Sequence, residues 1–278
     1  MKWRGGRAGG RVEDRRGMGG AVAGGGIGLA LLGLIGYYFF GIDPQTTQQV
    51  ANQFGAGQQQ EGQVGTPEDE AGRFVDVIGS NVNDVWSRTL DGYQPPNVVI
   101  YDQGTGTGCG YGQSAMGPFY CPLDQTIYLD LDFWQEMETQ LGASGAEFAR
   151  AYVIAHEFGH HVQTLTGASQ AVRDAQQRAA NQEEANQYSI ALELQADCYA
   201  GVWAANAATV SNGAVALEAG DLEEGLQTAH AIGDDALQRR STGRVTPEAF
   251  THGTSDQRME WLNRGYQAGD PEACDTFN

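Results

Sequence analysis

Apolar residues recur at helical spacing in two clear stretches of the chain. The first stretch covers about residues 71 to 90 and is followed by a pair of prolines, which stop a helix. The second opens on the capping-box pattern of Ser144 with Glu147 and ends near Gly167. Capping signals and apolar spacing predict three further helices, at about 182–208, 221–240 and 254–265.

Two short runs of β-branched and apolar residues predict strands at Asn97 to Tyr101 and at Thr126 to Leu131. The stretch between them is rich in glycine. Because it lacks the Lys-Ser/Thr ending of a nucleotide-binding loop, we interpret it as a flexible turn. This order of elements predicts an α+β fold, with a small N-terminal sheet and a helical C-terminal part.

A third apolar stretch, at residues 19–41, carries no charged side chain, and its part from Ile27 to Phe40 is dense in Leu, Ile, Tyr and Phe. Roughly 20 such residues are enough to cross a bilayer as one helix. Because no Ala-x-Ala cleavage site follows, an uncleaved anchor is favoured over a cleaved signal peptide. The fold prediction therefore places a single transmembrane helix before the folded domain.

This anchor divides the chain into four predicted parts. Residues 1–18 form a basic tail, 19–41 the transmembrane anchor, 42–71 a flexible linker rich in Gln, Gly and Thr, and 72–278 the folded domain. Basic residues stay on the cytoplasmic side of a membrane. We therefore expect a single-pass protein of the cell membrane, with its N-terminus in the cytoplasm and its folded domain outside.

Charge is distributed unevenly and argues against one class of partner. The first twenty residues hold six basic and two acidic side chains, whereas the whole chain has a formal net charge of −19 at pH 7. So acidic a domain repels the phosphates of nucleic acids. Nucleic-acid binding is therefore not expected.

The four cysteines all lie after the predicted anchor. An even number of cysteines there is typical of disulfides formed in an oxidising compartment. Of the three possible pairings we favour Cys109 with Cys121, which closes a short loop, and Cys198 with Cys274. A four-cysteine structural zinc site is the alternative, but no Cys-x-x-Cys spacing supports it.

The second predicted helix carries the pattern His156-Glu157-Phe158-Gly159-His160. Two histidines four residues apart project from one face of a helix and can reach a single zinc ion. Glu157 lies beside them and can act on a water molecule at that metal. His161 is rotated by about 100 degrees from His160, so we interpret it as a packing or surface residue.

A catalytic zinc usually has three protein ligands, so the motif needs a third. Gln163 and Thr166 stand where one class of zinc enzymes has a glycine and a third histidine, and that arrangement is therefore excluded. Glu193, on the next predicted helix, is the preferred third ligand. Asp197, one turn later, can accept the outer N–H of a ligand histidine and so orient it.

Two other acidic pairs are weaker candidates for metal binding. Glu183 and Glu184 lie nearer in sequence, but they are expected in a solvated first helical turn, where the helix dipole favours acids. Asp234 and Asp235 could suggest a second metal, although a solvated acidic helix face is favoured there. The sequence therefore predicts one zinc ion.

The motif, together with other segments, resembles the bacterial neutral zinc metallopeptidase family. The resemblance implies a membrane-associated zinc peptidase with a zincin-like domain, in which His156, His160 and Glu193 hold the metal. The segments that carry it, in chain order, are Val12–Gly17 (VEDRRG), Gly117–Cys121 (GPFYC), Ile127–Leu131 (IYLDL), His156–Gln163 (HEFGHHVQ), Glu193–Gly201 (ELQADCYAG) and Thr251–Ser255 (THGTS), followed by Arg258 and Trp261.

The expected activity is that of an endopeptidase, the hydrolysis of peptide bonds in a peptide or protein substrate. Glu157 is the expected general base for a zinc-activated water. His252 is the expected stabiliser of the oxyanion, with Arg258 as the alternative. Thr126 to Leu131 could hold an extended substrate as an exposed edge strand, or be an ordinary core strand.

The competing hypothesis is a non-catalytic, membrane-anchored binding or scaffold protein with a structural zinc. Structural zinc sites normally fill all four metal positions with protein ligands. Such a site would have no use for Glu157 beside its ligands, and the predicted set has only three. The catalytic hypothesis is therefore preferred.

Overall fold

The computed structural model describes residues 1–17, 62–113, 116–139, 141–143 and 145–277. The strands are β1 (Val12–Asp14), β2 (Gln63–Gly65), β3 (Asn97–Tyr101), β4 (Gly104–Thr107), β5 (Gly110–Gln113), β6 (Phe119–Cys121) and β7 (Thr126–Asp130). The α-helices are α1 (Glu70–Thr89), α2 (Phe133–Thr139), α3 (Glu147–Thr166), α4 (Ala168–Arg178), α5 (Gln182–Val210), α6 (Asp221–Ala231), α7 (Asp234–Thr242) and α8 (Ser255–Ala268).

The main sheet is mixed, with the strand order β2-β1-β3-β7-β6. Strands β1, β3 and β7 run parallel, while β2 and β6 run antiparallel to their neighbours at the two edges. Strands β3 and β7 are rich in β-branched and aromatic residues and are largely buried, as expected of central strands. Strands β4 and β5 form a separate hairpin. This α+β arrangement agrees with the prediction.

Large aromatic side chains fix the positions of α1, α3 and α5. Trp86 of α1, Phe148 and Phe158 of α3, and Trp203 of α5 are all buried in the main core. The rings of Phe148 and Trp203 stack with their centroids 6.2 Å apart. Removing so much aromatic surface from water holds α3 and α5, which carry the candidate site, in one arrangement.

Two glycines allow α8 to lie directly against α5. A Cβ atom at Gly265 would overlap the carbonyl oxygen of Cys198, and one at Gly201 would overlap the carbonyl oxygen of Leu262. Two helix backbones can approach this closely only where no side chain intervenes. The contact places α8 beside the middle of α5, where Asp197 lies.

Both favoured disulfides are present, so this prediction is confirmed. Cys109 pairs with Cys121 and joins the turn of the β4–β5 hairpin to β6. Cys198 pairs with Cys274 and joins α5 to the 3-10 turn at Pro271–Cys274.

The start of one predicted helix and the continuity of another differ from the structure. The N-cap of α3 is Ala146, whose methyl group cannot cap a helix, and Glu147 instead accepts a hydrogen bond of 2.7 Å from the indole of Trp3. The helix predicted over 221–240 is divided into α6 and α7. At Gly233 the chain passes so close to the backbone of Ser255 that a Cβ atom would overlap it.

The prediction of a single transmembrane helix is not supported by the structure. No helix in the part of the chain that the structure describes is long and apolar enough to cross a membrane, and residues 19–41 lie outside that part. The residues predicted as a basic tail belong to the folded domain, because Val12 pairs with Val98 and Trp3 is buried against Phe74.

A substitution in β1 tests whether this strand is part of the domain. Val12 is 2% exposed, whereas Val64 in the neighbouring strand β2 is 66% exposed. We expect Val12→Asp to lower the free energy of unfolding by about 2 kcal/mol or more, since it buries a charge and removes apolar contacts. The control Val64→Asp should change it by less than about 0.5 kcal/mol. Urea denaturation measures both, and equal midpoints would contradict the placement of β1.

Candidate metal centre

Helices α3 and α5 bring the three predicted ligands together. The carboxylate of Glu193 lies 3.2 Å from Nε2 of His156 and 3.5 Å from Nε2 of His160. One ligand atom from each of the three side chains lies within 4.8 Å of the others. Gly159 lets the helices approach at this level, because a Cβ atom there would lie only 3.0 Å from Cα of Ala196.

The ring of His156 is held on its far side by Asp197. Its Nδ1 lies 2.8 Å from a carboxylate oxygen of Asp197, so the Nδ1 proton is donated there and Nε2 faces Glu193. Burial lowers the pKa of His156, but the carboxylates of Asp197 and Glu193 outweigh it and raise that pKa to about 10. A cation at this site must therefore displace a proton from the imidazole.

Asp197 itself is fully buried and accepts several hydrogen bonds. Arg258 of α8 donates to its two oxygens from Nε at 2.8 Å and from Nη2 at 2.9 Å, and the hydroxyl of Tyr152 donates at 2.6 Å. Burial raises the pKa of Asp197, but Arg258 and His156 outweigh it and lower the pKa to about 2. Arg258 was the alternative candidate for stabilising the oxyanion. In the structure its guanidinium is paired with the buried carboxylate of Asp197.

The ring of His160 is held by an amide instead of a carboxylate. Its Nδ1 lies 2.9 Å from Oε1 of Gln163, which is fully buried. This contact was not predicted from the sequence, where Gln163 served only to exclude the arrangement with a third histidine. A signal was available, because residues three or four apart on a helix are neighbours. The same spacing places Tyr152 one turn before His156.

Glu157 follows His156 on α3 and is buried, with 6% of its surface exposed. Burial raises the pKa of its carboxyl group, and the charges of His160 and His156 oppose that shift without cancelling it. A carboxylate with a raised pKa is a better proton acceptor near neutral pH. Burial next to His156 and a raised pKa are features that a general base would need.

His252 lies in the segment between α7 and α8, close enough to Glu193 for their charges to interact. Burial lowers the pKa of His252, but Glu193 and Asp234 outweigh it and raise that pKa. Nδ1 of His252 lies 3.0 Å from Oγ1 of Thr251 and 3.3 Å from Oδ1 of Asp234. The other oxygen of Asp234 accepts the backbone N–H groups of Thr251, His252 and Gly253. Asp234 therefore anchors this segment and is not part of a solvated acidic face.

The structure also places residues that were weighed as secondary candidates. His161 is fully buried, with Nε2 2.6 Å from the carbonyl oxygen of Gln94 and Nδ1 3.1 Å from the hydroxyl of Tyr120, so it is a packing residue. Glu183 and Glu184 lie in the first turn of α5, as expected. Strand β7 is not an exposed edge, because β3 pairs on one side of it and β6 on the other.

The side chains of this centre suit a zinc ion. Two imidazole nitrogens and a carboxylate are ligands that Zn²⁺ readily accepts. Hydrogen bonds to Asp197 and Gln163 occupy both Nδ1 atoms, so both Nε2 atoms remain to face Glu193. With these three ligands from the described part of the chain, a tetrahedral zinc would keep its fourth position for water or substrate.

Two histidines from one helix and a glutamate from a later helix are the ligand set of zinc metallopeptidases in which glutamate is the third ligand. Comparison with known families agrees with this class. The model of the family described as "Putative neutral zinc metallopeptidase" matches residues 1–277, and the chain belongs to that family.

Two bacterial relatives share much of the sequence. The chain is 47% identical over 293 aligned positions to the uncharacterized protein YpfJ of Escherichia coli (strain K12), covering 100% of this chain and 99% of YpfJ. It is 46% identical over 219 positions to the uncharacterized protein Rv2575 of Mycobacterium tuberculosis (strain ATCC 25618 / H37Rv), covering 75% of this chain and 73% of Rv2575. No solved structure matches significantly.

Proposed function

We propose that the protein is a zinc-dependent endopeptidase acting on peptide or protein substrates. The observation that carries the proposal is the convergence of Nε2 of His156, Nε2 of His160 and the Glu193 carboxylate. Glu157 lies on the same helix as the two histidines. Membership of the zinc metallopeptidase family supports the reaction class.

The side chains around the centre have separate roles in this proposal. When bound, zinc supplies Lewis acidity, which acidifies a water molecule and polarises the carbonyl of the peptide bond. Glu157 takes the proton from the attacking water and delivers it to the leaving amine. Asp197 keeps the ring of His156 in its ligand orientation. His252 donates a hydrogen bond to the oxyanion that develops during attack.

A non-catalytic protein with a structural zinc is the second hypothesis. It would explain the three ligands, since metal binding can stabilise a fold. It gives no reason for a metal position that none of the described residues fills, or for burying the carboxyl group of Glu157 next to the ligand His156 on α3. The catalytic hypothesis explains both features.

Metal removal tests the proposal directly. The full chain is expected to contain about one zinc ion and to cleave a fluorescently labelled unfolded protein. Dialysis against a chelator should abolish cleavage, and one equivalent of Zn²⁺ should restore it, whereas Mg²⁺, which prefers oxygen ligands, should not. If the zinc-loaded chain cleaves no faster than the Glu157→Gln variant, the protein is not this kind of peptidase.

The proposed role of His252 gives a separate prediction. Removing one oxyanion donor typically lowers kcat by about 10²–10³-fold, so His252→Ala should have an effect of that size while zinc content stays unchanged. His230→Ala is the matched control, because His230 is an exposed histidine at the end of α6. Steady-state kinetics and metal analysis measure both. An unchanged kcat in His252→Ala would remove this residue from the mechanism.

A further inference from the structure

Three hydrogen bonds in series connect His160 with the protein interior. Nδ1 of His160 lies 2.9 Å from Oε1 of Gln163, and Nε2 of Gln163 lies 3.1 Å from Oε1 of Gln195. Nε2 of Gln195 in turn lies 3.1 Å from the carbonyl oxygen of Cys274. Nε2 of Gln163 also donates to the carbonyl oxygen of Leu192, 2.6 Å away. The two glutamines are 0% and 7% exposed, so this series is shielded from water.

The direction of the series is fixed at its inner end. The carbonyl oxygens of Leu192 and Cys274 can accept hydrogen bonds but cannot donate them. Each therefore requires the NH₂ group of its glutamine partner, which leaves the amide oxygen of Gln163 to face the ring of His160. Because an amide oxygen only accepts, the ring must carry its proton on Nδ1. The lone pair of Nε2 is then directed toward Glu193.

The two ligand histidines are thus oriented by different chemical groups. A carboxylate, Asp197, orients His156, and its charge is balanced by Arg258. A neutral amide orients His160. Because Glu193 and Glu157 already place carboxyl groups at this centre, a further buried carboxylate without its own cation would be costly. An amide whose direction is set by carbonyl groups selects one tautomer without adding charge.

The inner end of the series is held firmly in place. Cys274 is 1% exposed and is tied to α5 through its disulfide with Cys198. Close by, the hydroxyl of Thr276 donates a hydrogen bond of 2.6 Å to the carbonyl oxygen of Ala191 in α5. The last described residues are therefore fastened to the helix that carries Gln195.

We infer that Gln163 is a positioning residue that keeps His160 in its metal-binding tautomer, and that Gln195 transmits this orientation from the carbonyl group of Cys274. The inference rests on the proposed function, since it requires His160 to be a zinc ligand. Mutating a group that orients a ligand histidine typically lowers metal affinity by about 10–100-fold.

The experiment measures the zinc dissociation constant of the full chain by competition with a chromophoric chelator. Gln163→Met, which replaces the amide with a thioether of similar length, should weaken zinc binding about 10–100-fold. Gln195→Met should weaken it less, and the double variant should bind zinc no more weakly than Gln163→Met, because both act through one series. Gln176→Met is the control, since Gln176 also bridges two helices, donating to Ser189 at 2.8 Å, and its side chain donates to Ala185 and Ser189 instead of to a ligand or to Gln163.

The outcomes separate this inference from the proposed function. If wild type binds no zinc, the proposed function fails. If wild type and Gln163→Met bind zinc equally tightly, the proposed function stands and this inference is overturned. If Gln163 had a purely structural role, Gln163→Met would lower the thermal midpoint of unfolding of the metal-free chain and leave its zinc affinity unchanged. If Gln163→Met does not fold, Gln195→Met decides, since unchanged affinity in that variant overturns the inference and weakened affinity supports it.

Discussion

Glu157→Gln is expected to retain zinc and to lower peptide hydrolysis by about 10²–10⁴-fold, the range typical of general acid–base catalysis. Glutamine has the shape of glutamate, so the packing of this buried side chain on α3 is preserved. The amide cannot take a proton from water near neutral pH, however. Binding of the metal and substrate should survive, and the proton-transfer step should be lost. Metal analysis with steady-state kinetics measures the two effects separately.

Two other glutamates supply contrasting controls for this result. Glu193→Gln removes a charged ligand, so we expect it to lose both zinc and activity. Glu183→Gln changes an exposed acid in the first turn of α5 and should alter neither. If Glu157→Gln hydrolyses peptides at the wild-type rate, Glu157 is not the base. If it instead loses zinc, its role is to support the metal.

The site was largely predictable because its main signals are local. His156, Glu157 and His160 lie within five consecutive residues, so helical geometry alone places them together. Glu193 and Asp197 are likewise one turn apart on the next long helix, and a ligand with its orienting acid forms a recognisable pair. The structure brings His156, His160, Glu193 and Asp197 together through the contacts of α3 with α5. Glu157 follows His156 on α3.

The first residues of the chain were misplaced because their partners are distant in sequence. Val12 pairs in parallel with Val98, and no turn signal links strands so far apart. The basic residues suggested a cytoplasmic tail, yet Arg15 is 8% exposed, pairs with Glu13 and donates to the carbonyl oxygen of Gly106. Charge counted along the sequence cannot show that a basic side chain has a partner in the fold.

The sequence left open whether β7 is an exposed edge strand or a core strand, for a related reason. Strand β6 has only three residues, with Gly117 and Pro118 before it and Pro122 after it, so its sequence gives little strand signal. Once it pairs with Thr126 to Tyr128, that part of β7 becomes an interior strand. The anchoring role of Asp234 was also missed, because a capping pattern joined α6 and α7 into one predicted helix.

Arg258→Met is expected to lower the free energy of unfolding of the metal-free protein by about 3–5 kcal/mol, the range typical of a broken buried ion pair. Arg258 is 4% exposed and Asp197 is 0% exposed, so water cannot replace the lost guanidinium. Methionine fills much of the space of the arginine stem, and the main change is that the buried charge of Asp197 loses its guanidinium partner and keeps His156. Urea denaturation of the chelator-treated chain measures the loss without a contribution from zinc binding.

Two further variants test whether the cause is charge or packing. Arg264→Met lies on the same helix, but Arg264 is exposed and its guanidinium lies 4.7 Å from the ring centroid of Trp261, so we expect a change of less than about 0.5 kcal/mol. Adding Asp197→Asn to Arg258→Met should recover part of the lost stability, because neither buried charge then remains. Zinc affinity should be lower in that double variant than in wild type, since an amide is a weaker acceptor for Nδ1–H of His156. If the second substitution instead deepens the loss of stability, lost packing around Arg258 is the cause and the ion pair is not.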